Sequence, residues 1–194
     1  MGQVEGTRKK RRWVWIVELA IVVGVIWGIR AWQQQNLVDG VAPDFSQKTL
    51  DNKIISLANY RDKPVMLHFW ATWCAICEME QGGISKVVEH WPVITIAYDD
   101  ASEADVSKYM EKQGIKQWTT VHDPKGELAR SYGVSVLPTT YILDGQGRIR
   151  FHEVGFSSSW GLRLRLWLAD NWLSTKAEAP VPAKPATAST SQTQ

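Results

Sequence analysis

Cysteine is nearly absent from this sequence, with 2 in 194 residues, at positions 74 and 77. A disulfide-scaffolded domain is thereby excluded, and a Cys-rich tetrahedral zinc site would want two further ligands. An excess of charge of one sign is lacking too, with 22 Lys and Arg against 20 Asp and Glu. What surplus there is sits in residues 1–32, where Arg8, Lys9, Lys10, Arg11, Arg12 and Arg30 face only Glu5 and Glu18. The remainder is slightly acidic, which argues against a basic nucleic-acid-binding face. Hydrophobic residues make up 44% of the chain, so it is not disordered as a whole.

Long apolar runs are missing except for one. From Trp13 to Ile29 every residue is apolar or Gly apart from Glu18, which makes 17 positions, or about 25 Å of helix. Trp13, Trp15, Trp27 and Trp32 mark its ends, and the basic run Arg8 to Arg12 precedes it. By the positive-inside rule this pattern predicts a transmembrane anchor over residues 13–32 with a basic cytoplasmic N-terminus, residues 1–12. The rest of the chain would lie outside the inner membrane, in the periplasm. A cleaved signal peptide fits less well, because a cut after Ala31 puts Ile29 at −3, where a small residue is wanted. Residues 33–39 then read as a polar spacer. Ala177 to Gln194 holds five Ala, three Pro and five Ser or Thr with no aromatic residue, so residues 175–194 read as a disordered tail. One compact domain remains, residues 40–174.

Within it the pattern alternates. Thr49-Leu50 and Ile54 to Leu57 flank the turn signal Asp51-Asn52 and predict a hairpin. Val65 to Trp70 is nearly continuously apolar, as suits a strand buried on both faces. A helix over residues 75–90 follows, although Gly82-Gly83 inside it costs about 2 kcal/mol relative to Ala. The remaining pattern predicts a strand over 93–98, a helix from a Ser102 cap to Gln113 with Gly114 as its stop, a strand over 119–122 and a short helix over 127–132. Strands over 139–143 and 148–154 and a helix over 160–173 complete the chain. The order of elements predicts an α/β fold with a mixed central sheet.

The chemistry concentrates in Trp73-Cys74-Ala75-Ile76-Cys77. Placed where a buried strand hands over to a helix, Cys74 sits among unpaired backbone N–H groups, whose field favours thiolate over thiol. Cys77, one turn inward, is near enough to close a disulfide onto Cys74 and release a mixed-disulfide substrate. A stapling disulfide is the blander reading, but closing so short a loop restrains little of the chain.

At these residues the sequence resembles the thioredoxin superfamily. Phe69 to Cys77 looks like that family's active-site stretch, and Val136-Leu137-Pro138-Thr139 resembles the loop whose cis-proline faces the two cysteines. Ala42-Pro43-Asp44-Phe45 with the following hairpin resembles the N-terminal extension of the membrane-anchored TlpA/ResA-like branch. Residues 151–169 are similar to the suppressor-of-copper-sensitivity D (ScsD) protein disulfide oxidoreductases. The resemblance implies a thioredoxin-like fold and a membrane-anchored oxidoreductase with Cys74 and Cys77 catalytic, possessing neither cofactor nor metal. Its implied partners are extracytoplasmic proteins with thiols or disulfides, an integral membrane electron-transfer protein and the lipid bilayer.

Trp73, Pro138 and Thr139 are the expected supporting residues. Two further candidates carry a proton. His68 stands where thioredoxins have a buried Asp, and either relays a proton to Cys77 or is a hydrogen-bonded core residue. Glu80, one helical turn beyond Cys77, is either an acid–base partner or a solvated first-turn carboxylate that suits the helix dipole. A peroxidase is disfavoured because Ala71 and Leu67 stand where peroxiredoxins need Thr or Ser and Pro. A copper(I)-binding module remains as the alternative, with Cys74 and Cys77 joined by Met79 or His68 as soft or borderline ligands.

Overall fold

The computed structural model describes residues 5–173. Helix α1 (Glu5–Gln34) comes first, followed by a small antiparallel hairpin of β1 (Ser46–Lys48) and β2 (Ile54–Ser56). The body then alternates β3 (Val65–Trp70), α2 (Ala75–Val88), β4 (Val93–Ala97), α3 (Glu103–Lys112), β5 (Thr119–His122), α4 (Glu127–Ser131), β6 (Thr139–Leu143), β7 (Ile149–Val154) and α5 (Ser159–Leu168). The central sheet has the order β5-β4-β3-β6-β7. β3, β4 and β5 run parallel, while β6 and β7 are antiparallel to their neighbours, so the sheet is mixed as expected.

The period-two alternation of β3 decides which side chain meets which layer. Val65, Leu67 and Phe69 enter one core with α4, Tyr132, Tyr141, Leu37 and Phe45. Met66 and Trp70 enter the other, with α2, α3 and α5 and both cysteines. Local signals act where expected: Ser102 caps α3 by accepting the Asp105 N–H, and Ser158 caps α5 by accepting the Gly161 N–H. The hairpin departs from expectation, since its first strand ends before Thr49. Thr49 Oγ1 instead donates to the Lys53 carbonyl at 2.9 Å, closing the loop with a side chain.

Two expectations about the N-terminal part are corrected. A helix does form over residues 13–32, but among the described residues no helix is long and apolar enough to cross a membrane. The apolar run, at 17 positions, lies at the lower limit of the range of about 17–25 residues a span takes, and Glu18 interrupts it. The transmembrane anchor goes with that finding, and so do the inner-membrane location, the bilayer contact and a periplasmic placement argued from the span. The stretch read as a spacer also belongs in part to the packed body: Leu37 is buried, and Val38 N–H donates to the Tyr132 carbonyl. Gly133 shows how close this approach is, because a Cβ there would lie 1.7 Å from the Asn36 carbonyl oxygen. The expected disordered tail, residues 175–194, and residues 1–4 of the basic N-terminus lie outside the described residues. So do the side chains of Arg8 to Arg12, Trp27 and Trp32.

Candidate active site

Cys74 is the N-cap of α2 and Cys77 lies in its first turn. The two are joined as a disulfide, with Cα atoms 5.2 Å apart, and Cys74 Sγ accepts the Cys77 N–H at 3.2 Å. A sulfur in that position meets the positive end of the helix dipole and an otherwise unsatisfied backbone donor. Cys74 is the more exposed of the pair, at 7% against 2% for Cys77. Beside the pair in sequence, Trp73, Ile76 and Met79 are exposed.

The segment leading from β3 into Cys74 is fixed by a residue that sequence reasoning missed. Asp99, buried at the end of β4, accepts both the N–H (2.7 Å) and the hydroxyl (2.5 Å) of Thr72, and its other oxygen accepts the Ala101 N–H. Its only sequence signal is an acidic residue just after a strand, indistinguishable from ordinary loop polarity.

His68 and Glu80 come together beneath the disulfide layer. Both side chains are 1% exposed, and His68 Nε2 lies 3.5 Å from Glu80 Oε1 without hydrogen-bond geometry. Glu80 Oε2 accepts the Ser157 N–H at 2.9 Å, and His68 Nδ1 is 3.0 Å from Thr140 Oγ1. The reading of Glu80 as a solvated carboxylate is therefore corrected: the Ser157 segment folds over it. Burial pushes the Glu80 carboxyl up to about 7, against the opposing pull of the Ser157 N–H. Burial likewise pushes the His68 imidazole down to about 3. Near neutrality the Glu80 carboxyl can thus hold or release a proton, facing an imidazole that burial keeps neutral.

His68 also belongs to a polar row that crosses the sheet on this face. The strand register places Thr140, His68, Thr95 and Thr120 side by side, and the Thr95 and Thr120 hydroxyls are 2.7 Å apart. The Leu137–Pro138 peptide bond is cis, as the resemblance implies. Thr139 is buried at the start of β6 and its hydroxyl donates to the Val136 carbonyl at 2.7 Å, tying that loop to itself. Of the two alternative copper ligands, Met79 is 75% exposed and His68 is fully buried, and among the described residues no group of three or more His, Cys, Asp or Glu is placed to hold a metal ion.

Comparison with known proteins gives a consistent result. The AhpC/TSA family profile matches residues 38–152. A thioredoxin-like protein of Haemophilus influenzae is 37% identical over 111 residues, covering 57% of this chain and 65% of its own length. The thiol:disulfide interchange protein DsbE of Xylella fastidiosa is 33% identical over 135 residues, covering 66% of this chain and 68% of its own. The match to the Haemophilus protein thus takes in just under two thirds of that relative. Among solved structures, a thiol:disulfide interchange protein DsbE from Chlorobium tepidum superposes with a TM-score of 0.61 at 26% identity, over 69% of this chain and 98% of that one.

Proposed function

This chain belongs to the AhpC/TSA family and has the thioredoxin-like fold, and from that premise we propose that it is a thiol–disulfide oxidoreductase acting on protein thiols and disulfides through Cys74 and Cys77. The observation that carries the proposal is the placement of a two-cysteine disulfide at the N-terminus of α2, with Cys74 the more exposed of the two.

In the reducing direction Cys74 thiolate attacks a substrate disulfide, forming the mixed disulfide while the departing substrate sulfur takes up a proton. Cys77 then loses its proton and attacks Cys74 Sγ, which releases the second substrate thiol and leaves the Cys74–Cys77 disulfide. Two electrons pass to the substrate, and the oxidising direction reverses each step. Glu80 serves as the proton acceptor for Cys77, one turn away on the same helix, and His68 positions Glu80 from the sheet. Trp73 stands exposed next to Cys74, where the substrate docks, and Thr139 holds the loop that carries Pro138. A copper(I)-binding role has less support, since among the described residues no cluster of three or more His, Cys, Asp or Glu is placed to hold a metal ion.

The test uses the full chain. Reduced Cys77→Ser incubated with a disulfide-bonded protein should accumulate a mixed disulfide through Cys74, and Cys74→Ser should not. Absence of any adduct, or alkylation of Cys77 ahead of Cys74 in the reduced wild type, overturns the assignment.

A further inference from the structure

The polar row through His68 has two ends, and they differ. Toward β5 it runs through Thr95 to Thr120, which is buried with its hydroxyl 3.4 Å from the Trp118 carbonyl, so that end closes on backbone. Toward β7 it continues past Thr140, because the register sets Thr140 directly across from Glu153. Directly opposed residues of an antiparallel pair share a face, with Cβ atoms about 4.5–5.5 Å apart. Two neighbours identify that face as the cysteine side: Phe151, two residues before Glu153, packs into the same core as the cysteines, and Arg165 of α5 meets Glu153 at 2.7 Å. The Glu153 side chain is 27% exposed. β7 is the edge strand of the sheet, so the row ends in a carboxylate that reaches water.

We propose that Thr140 and Glu153 form the outer half of a proton path, which carries the proton exchanged between Cys77 and Glu80 from His68 to solvent and back. The inference rests on the oxidoreductase reading, with Glu80 as the proton acceptor for Cys77, and adds two residues that act through His68 without touching either sulfur. Glu80 needs such a path during turnover. Its Oε2 is held by the Ser157 N–H, its Oε1 faces His68 Nε2 at 3.5 Å, and its side chain is 1% exposed. In the mixed disulfide the partner protein is bonded to Cys74, the more exposed cysteine, and so covers the side on which the pair itself meets water.

The proton count closes along the row. When Cys77 attacks the mixed disulfide, its proton passes to the Glu80 carboxylate. Glu80 Oε1 then gives a proton to His68 Nε2 while Nδ1–H gives one to Thr140 Oγ1, 3.0 Å away. The Thr140 hydroxyl proton goes to the Glu153 carboxylate and from there to water. The imidazole is neutral before and after, as its burial demands, with its hydrogen moved from Nδ1 to Nε2. Reduction of the disulfide runs the steps backward and restores the first tautomer, so one proton leaves and one returns in each cycle. Bringing Nε2 and Oε1 from 3.5 Å to hydrogen-bond length takes a shift of about 0.5 Å. Among the described residues, the titratable and charged groups along the path are Cys77 and Glu80 of α2, Glu153 of β7 and Arg165 of α5. On its other flank His68 meets Thr95 and the Trp118 ring, neither of which titrates.

The experiment times the closing and opening of the cysteine pair. Reduced full-length wild type, Thr140→Val and Glu153→Gln are mixed with a disulfide-linked peptide, and formation of the Cys74–Cys77 disulfide is followed by acid quench and alkylation. The reverse is followed from oxidised protein and the reduced peptide. Both variants should slow the two directions by the same factor, about tenfold for Thr140→Val, a fraction of the roughly 10²–10⁴ that positioned proton transfer contributes. A proton path changes rates and leaves the equilibrium alone, so the reduction potential should stay within about 30 mV of wild type, the shift that a tenfold change in one direction alone would give. Thr140→Ser keeps the hydroxyl and should recover most of the rate. Glu153→Gln, partly exposed, carries the test if the buried substitution prevents folding. An unchanged closing rate in either folded variant overturns the proposal. Slowing in one direction only, with a larger shift in potential, also overturns it and assigns the two residues to the stability of one redox state. Failure of the wild type to close its cysteine pair on the peptide would instead strike the oxidoreductase reading itself.

Discussion

On one face of the central sheet Tyr132 donates its hydroxyl to the Pro43 carbonyl at 2.6 Å and Tyr141 donates to the Tyr132 carbonyl, both within a cluster of Phe69, Tyr132 and Tyr141 rings. On the other face His68 Nε2, Trp70 Nε1 and Glu80 Oε1 are buried without hydrogen-bond partners. The same strand, β3, feeds both: Phe69 points one way, His68 and Trp70 the other. Burial is alike on the two sides, whereas polar satisfaction is not. Leaving buried polar groups unpaired costs about 1–3 kcal/mol each. All three lie on the face that carries the cysteines, the face on which the proposed proton exchange would take place. On the account proposed above, the tyrosine face specifies the fold, and the cysteine face leaves a few buried polar atoms free for proton exchange.

The contrast can be broken by substitution on either side. The largest effect belongs to the satisfied face: Phe69→Ala should destabilise the protein by about 3–5 kcal/mol in chemical denaturation. The reduction potential of the folded variant should move by less than about 30 mV, the equivalent of about 1.4 kcal/mol. A large shift in potential would show that the faces are not separable.

Next comes the pH dependence of Glu80. Its folded pKa is raised from 4.5 to about 7 by burial, so the folded state binds a proton that the unfolded state releases. The stabilising contribution is fully present below pH 4.5 and is lost as pH rises through 7. Glu80→Gln should therefore gain stability relative to wild type over that window, by about 3 kcal/mol at its upper end. His68 works in the opposite sense, its contribution fading as pH falls from 6.5 toward 3, a range that extends below the window in which Glu80 acts. Parallel stability curves for wild type and Glu80→Gln would contradict the buried, protonated carboxyl.

Asp99→Ala should cost about 1–3 kcal/mol by stranding the Thr72 N–H, and it should also slow thiol exchange because the segment before Cys74 loses its anchor. Asp99→Asn keeps an acceptor and should recover most of the rate. The smallest effect is expected at Met79, which is exposed and bonded to nothing in the site: Met79→Ala should change stability by no more than about 0.5 kcal/mol and leave exchange intact.

Much of the fold was legible because periodicity and caps are local. The run Val65 to Trp70 announced a strand buried on both faces, and Ser102 and Gly114 bounded α3 within a residue or two. The two cysteines were legible because a helix start is itself the source of the field they use. Tertiary facts were not. Glu80 reads as solvated from its own helix, and only the return of the chain at Ser157 buries it. Asp99 is 27 positions from Thr72 and gives no sign of its partner. The N-terminal helix was legible as a helix, but its span was overread, since tryptophans and a basic flank mark an interface only if the apolar stretch between them is long enough, and this one carries Glu18.

The central claim is that Cys74 and Cys77 form a redox couple that cycles, as opposed to a disulfide that merely staples a turn. Equilibrating the full chain in thiol redox buffers and counting free thiols by alkylation measures its reduction potential directly. A cycling couple should titrate reversibly between about −270 and −120 mV, the range spanned by thioredoxin-like oxidoreductases. A pair that stays oxidised until below about −300 mV, as structural disulfides do, would contradict the account.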